Sequence, residues 1–156
     1  MRISVIQMNQ GSDKAGNIDQ ARRLIEAALA ADRPDVVSLP ETWTNLGGGR
    51  GARQRAAELL PEPGGATGTE IARYRKIHLF DITGPDGTGY RESALYGAGD
   101  ALVTCVVNGT TLGLTICYDM RFGEQYLALR RSGAEVIFVP SNFTLQTGRD
   151  HWEPML

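Results

Sequence analysis

Residues 112–121 read Leu-Gly-Leu-Thr-Ile-Cys-Tyr-Asp-Met-Arg. An apolar run stops abruptly at Cys117, and a polar, helix-forming stretch follows. That succession puts a thiol at the tip of a strand. The strand fixes the backbone, the turn exposes the side chain, and the next helix aims its amides at whatever binds there. A lone cysteine is more often a small buried hydrophobe than a nucleophile, so the reading depends on partners elsewhere in the chain.

Working outward, residues 111–116 and 101–107 form two strands around Asn108-Gly109, a hairpin signal. A helix is expected from about residue 121 to 131, with Gly133 as its stop, then a buried strand over 135–139 and a loop over 140–150. A helix starts at His151-Trp152-Glu153-Pro154. Toward the N-terminus, residues 2–8 alternate and are β-branched, which predicts a strand. Asn17 is a good N-cap for a helix over 18–31, where Ile18, Ala21, Leu24, Ile25, Ala28 and Leu29 make one buried stripe. A short apolar strand over 35–39 completes a βαβ unit, expected to be right-handed with parallel strands. Pro40-Glu41 follows at the carboxyl end of that strand, the edge where sites gather in open α/β sheets. The glycine-rich stretch 42–51 lacks the Lys-Ser/Thr ending of a phosphate loop and reads as a loop. Residues 52–60 suit a short helix and 61–68 a connector. Residues 70–80 alternate as a strand, and 81–100 reads as a long irregular loop.

At 156 residues, 42% apolar and 22% charged, the chain has the size and composition of one soluble domain. A net charge of −2 gives no electrostatic footprint for nucleic acid or a membrane surface. Two cysteines are too few for a disulfide framework, which fits a reducing, cytoplasmic setting. Cys105, inside an apolar strand, reads as core. No apolar run reaches membrane-spanning length, and the N-terminal one is too short for a signal peptide. His78 and His151 have no ligand spacing, so no metal is expected.

Three motifs stand together: Leu-Pro-Glu-Thr around Glu41, Tyr-Arg-Lys-Ile-His-Leu-Phe-Asp around Lys76, and Ile-Cys-Tyr-Asp-Met-Arg-Phe around Cys117. The set resembles the nitrilase superfamily of carbon–nitrogen hydrolases, in its branch of small amidases that includes omega-amidase. The resemblance implies an α/β fold, the α-β-β-α sandwich of that family, often dimerised so that sheets extend across subunits. It implies Cys117 as nucleophile, Glu41 as general base and Lys76 as third catalytic residue. Glu92, in Tyr-Arg-Glu-Ser, would be a second glutamate that helps position the site. Tyr118 through its amide and Asn142 through its loop would line the substrate pocket. The implied reaction cleaves a small linear amide through a thioester, without metal or organic cofactor. The bland readings stand beside these. Glu41, Lys76 and Glu92 suit solvated surface positions, and Arg73, Arg75 and Lys76 form a charge cluster common on any strand. Asp119 and Arg121 are read as organising the turn after Cys117 rather than touching substrate.

The chain also departs from the pattern. Near residues 65–70 it is too short for the helix and two strands that the family places before the lysine segment. The family also continues beyond residue 153. Gly123 stands where the motif has proline. An exposed apolar sheet face and an unpaired edge are expected consequences. These departures support an alternative reading: a catalytically incompetent remnant acting through interaction. A flavodoxin-like binding module rests on fold analogy alone.

Overall fold

The computed structural model describes residues 1–47, 70–84, 87 and 89–156. The helix expected over 52–60, the connector over 61–68 and all but the last residue of the short junction near 65–70 lie outside the described residues. The chain divides into two compact units, Met1–Ile71 and Ala72–Leu156.

In the first unit, strands β1 (Ile3–Val5) and β2 (Val36–Ser38) pair in parallel, with Ile3 opposite Val36 and Val5 opposite Ser38. The crossover is helix α1 (Lys14–Asp32), which begins a turn earlier than the sequence suggested. Asp13 caps it, its carboxylate accepting from the Ala15 amide at 3.1 Å. Asn17 is therefore not the cap. It sits buried in the first turns of the helix, where its amide holds Gly11 on both sides and donates to the Thr44 carbonyl at 2.9 Å. Ala21 and Ile6 are buried, but Leu29, expected in the stripe, is 47% exposed. The helix ends at Arg33, which takes a left-handed backbone and bonds back to the Leu29 carbonyl.

The second unit carries two sheets. Strands β3 (Asp81–Thr83) and β4 (Gly89–Arg91) form an antiparallel hairpin where the sequence suggested irregular loop. Its composition hides it, because glycine and proline dominate the connection and each strand has only three residues. Strands β5 (Val103–Val107), β6 (Thr110–Leu114) and β7 (Val136–Phe138) form a mixed sheet with β6 in the centre, antiparallel to β5 and parallel to β7. Asn108 and Gly109 both have positive φ, 49° and 79°, the twist a two-residue hairpin turn needs.

Helix α2 (Gly123–Arg131) packs on that sheet. Leu129 and Leu112 are buried, and Gly113 on β6 is close enough to Leu129, Ala134 and Ile137 that a Cβ there would lie 3.2–3.4 Å from all three. The helix stops as expected at Gly133, φ 92°. The Gly133 amide bonds the Arg130 carbonyl and the Ala134 amide that of Leu129, the double bond of a Schellman end. Leu145–Thr147, Gly148–Trp152 and Glu153–Met155 run on as an irregular helical stretch, starting earlier than His151 because Thr144 caps it.

Candidate active site

Strand β6 does not release the chain at Leu114. The Thr115 amide bonds the Phe138 carbonyl at 3.0 Å, and the Cys117 amide bonds the Pro140 carbonyl at 3.0 Å. The parallel ladder with β7 thus continues to the cysteine itself. There the backbone breaks: Cys117 has φ 44°, a left-handed value that a side chain with a Cβ rarely adopts. A tight turn over Cys117–Arg121 follows, and α2 begins only at Gly123. The helix expected from about residue 121 thus starts two residues later, after this turn, whose last bond runs from the Phe122 amide to the Asp119 carbonyl.

The segment holding Lys76 is not a strand. It is extended chain with a bend at Ile77 and His78, secured mainly by side chains. Lys76 is buried, not solvated, and its ammonium meets both carboxylate oxygens of Glu92 at 2.9 and 3.2 Å. Glu92 begins a short turn directly after β4, and one of its oxygens also accepts from the Phe80 amide at 2.6 Å. The hairpin β3–β4 therefore carries the carboxylate to the lysine. Ser93 fixes the turn from below, its hydroxyl and amide both bonding Asp81, which holds the Asp81 carboxyl below its ordinary range.

Asp119 is fully buried and accepts four hydrogen bonds. Oδ2 takes the Ile116 amide at 2.9 Å and the Tyr74 hydroxyl at 2.7 Å; Oδ1 takes the His78 amide at 3.0 Å and His78 Nδ1 at 2.9 Å. The aspartate organises the turn, as its position suggested, and also binds the lysine segment to it. Tyr74 accepts in return from the Ile77 amide and from Gln125 Nε2 at 2.8 Å. Burial, and next the bond to Asp119, push the Tyr74 hydroxyl above the usual tyrosine range. Burial does the same to Tyr126, which meets the Thr115 hydroxyl at 3.1 Å.

Lys76, Glu92, Cys117, Tyr118 and Asn142 all belong to the second unit; Lys76 meets Glu92, and Asp119 ties the residues on either side of Lys76 to the turn that carries Cys117 and Tyr118. Tyr118 packs edge-on to Phe80 and Phe122, with Arg121 over its ring at 5.5 Å. Asn142 follows two residues after the Pro140 carbonyl that holds Cys117. Glu41 lies in the first unit, in the turn that follows β2, where its carbonyl accepts from Gln10 at 3.2 Å. Sequence reasoning did not single out Tyr74 or Gln125. The available signal was parity: Tyr74 and His78 stand two residues either side of Lys76 and share its side of an extended chain. Among the described residues, no three His, Cys, Asp or Glu cluster as a metal would require, and no helix is long and apolar enough to cross a membrane.

The family model for carbon-nitrogen hydrolases matches residues 58–156. A deaminated glutathione amidase of Synechocystis sp. is 33% identical over 192 residues, covering 98% of this chain and 70% of the relative. Omega-amidase of Homo sapiens is 31% identical, covering 97% of this chain and 67% of the relative. Among solved structures, the C. elegans NitFhit protein superposes with a TM-score of 0.84 at 30% identity, over 99% of this chain and 47% of that one. The chain therefore has an α/β fold of the nitrilase type, incomplete beside its longer relatives. The Synechocystis alignment spans more positions than the 156 residues present here, so this relative carries internal stretches with no counterpart in this chain. On the match of most of its length to one family model and on these relatives, the chain belongs to the carbon–nitrogen hydrolase family.

Proposed function

We propose that the chain hydrolyses the C–N bond of a small linear amide bearing a carboxylate, releasing ammonia and a carboxylic acid. The observation that carries this reading is the left-handed backbone of Cys117 at the end of the β6–β7 ladder. Strain of this kind persists where the surrounding structure enforces it, and it gathers at functional sites. The names of the relatives, deaminated glutathione amidase and omega-amidase, support the substrate class.

In the proposed reaction the Cys117 thiol gives its proton to Glu41 and its sulfur attacks the amide carbonyl. A neighbouring ammonium lowers a thiol pKa and favours this step. The oxyanion is held by Lys76 and by a backbone amide. The Cys117 amide is committed to Pro140, so that role falls to Tyr118, and one such donor is worth about 3 kcal/mol of barrier. Glu41 returns the proton to the departing ammonia as the C–N bond breaks. Water, deprotonated by the same glutamate, then cleaves the thioester and restores the thiol. Glu92 keeps Lys76 charged and in place, and Asn142 lines the pocket. The chain works as a single hydrolase domain, in a reducing, cytoplasmic setting that a chain with only two cysteines suits, and as a homodimer. Ammonia release from short carboxylate-bearing amides tests the reading. Cys117→Ala is expected to abolish it, and undiminished release by that variant would sink the assignment.

One observation favours a second reading, an inactive remnant acting through interaction. The large apolar side chains Val106, Leu127 and Leu145 are more than half exposed. A monodisperse protein that unfolds cooperatively and turns over substrate would remove it.

A further inference from the structure

The lysine segment and the cysteine turn meet in one carboxylate. Asp119 Oδ1 takes both donors of His78, and Oδ2 joins the Tyr74 hydroxyl to the amide of Ile116, the residue before Cys117. Lys76 lies midway between Tyr74 and His78, so both sides of it are tied to the turn. We propose that Tyr74, His78 and Asp119 form a positioning strut that sets the Lys76 ammonium relative to the Cys117 thiol. The proposal rests on the amide-hydrolase reading above and adds three positioning residues to it.

Three features make the strut directional. The His78 ring is held on its edge by Asp119 and on its face by Phe122, stacked at 3.5 Å and 7°. The Tyr74 hydroxyl donates once and accepts twice, so it has no second orientation available without losing a bond. Each Asp119 oxygen accepts two donors, so an amide in its place would turn an NH2 group toward one pair of them. A core needing stability alone is served as well by apolar packing; four aimed bonds fix a geometry. Lys76 itself is held at its carbonyl by the Gly99 amide and at its ammonium by Glu92, so the strut governs where that rigid piece sits.

The test uses two His78 variants of the whole chain. His78→Asn keeps a donor near the Nδ1 position. His78→Phe keeps a ring against Phe122 and removes the donor. Kinetics of ammonia release and the iodoacetamide alkylation rate of the Cys117 peptide at neutral pH are read together. The expected result is kcat within about threefold of the parent for His78→Asn, and a kcat loss of about 100-fold with little change in KM for His78→Phe. Alkylation slows about tenfold in His78→Phe and not in His78→Asn, because a displaced ammonium no longer favours the thiolate. Tyr74→Phe, which removes one strut bond without touching His78, follows His78→Phe in direction. Equal losses in the two His78 variants, or a change confined to KM, would overturn the strut. Normal ammonia release with His78→Phe unaffected overturns the strut and leaves the hydrolase reading intact. A parent without ammonia release, whose alkylation still slows in His78→Phe, overturns the hydrolase reading and supports the strut.

Discussion

For a residue with a Cβ, a left-handed backbone costs roughly 1–2 kcal/mol, and Cys117 sits there with its amide pinned to Pro140. Glycine has no such cost, although it loses roughly 0.5–1 kcal/mol more than alanine in chain entropy on folding. The two effects oppose each other, and the strain is the larger. Cys117→Gly should therefore be as stable as Cys117→Ala or about 0.5 kcal/mol more stable, the reverse of the order in a helix. Urea unfolding of the two variants decides this, and an alanine variant more stable by a full kcal/mol would mean that the backbone is unstrained. Lys76 and Glu92 offer a second test, since the lysine is buried and the glutamate side chain is only 20% exposed. Removing one partner leaves the other charge in poor solvent, so Lys76→Met should cost about 3 kcal/mol. The double variant Lys76→Met with Glu92→Leu should recover part of that loss. A double-mutant cycle with no coupling would show that the pair is solvated.

At the level of elements, the sequence was most legible where one local signal was enough. The Asn108-Gly109 hairpin, the stop at Gly133 and the parallel pairing of β1 with β2 follow from turn chemistry, capping and burial pattern. Legibility failed where distant side chains decide the backbone. Residues 70–80 alternate like a strand, yet the bonds that shape them come from Asp119 and Glu92, far along the chain. The start of α1 was misplaced because Asp13 and Asn17 are both good caps, and Asn17 is used by the Gly11 and Thr44 backbone instead. For the site, Cys117, Lys76 and Glu41 stood out as motifs, whereas Tyr74 and Gln125 matter only through a network. Gly99 is another residue that only the structure explains. Its amide bonds the Lys76 carbonyl, and a Cβ there would overlap the Arg75 carbonyl, with the Arg75 Cβ at 2.9 Å. Gly99→Ala must push the lysine segment aside, so a stability loss of about 1–3 kcal/mol is expected together with loss of turnover. A variant with normal kcat would show that this segment tolerates displacement.

Over the whole molecule, two properties depend on more than one element. Tyr74 and Tyr126 both have hydroxyls that folding keeps protonated, chiefly through burial. Their folded values lie above the unfolded value, so the stability they contribute is complete below about pH 10 and is lost as pH rises beyond it. The thermal midpoint should fall along that alkaline limb, less steeply in Tyr74→Phe, and a limb of unchanged slope would show that the hydroxyl is solvated. The second is a requirement of the proposed reaction. Glu41 belongs to Met1–Ile71, while Lys76, Glu92 and Cys117 belong to Ala72–Leu156. The proposed reaction draws on residues of both. Glu41→Gln removes the base and leaves the second unit untouched, so ammonia release should fall by about 100-fold or more. Because Glu41 takes the thiol proton in that reaction, alkylation of Cys117 should slow as well, while cooperative thermal unfolding is retained. Loss of cooperative unfolding would point to a folding role for Glu41. Retention of both ammonia release and alkylation would separate Glu41 from the chemistry and leave the base to be found among the residues that follow Ala72.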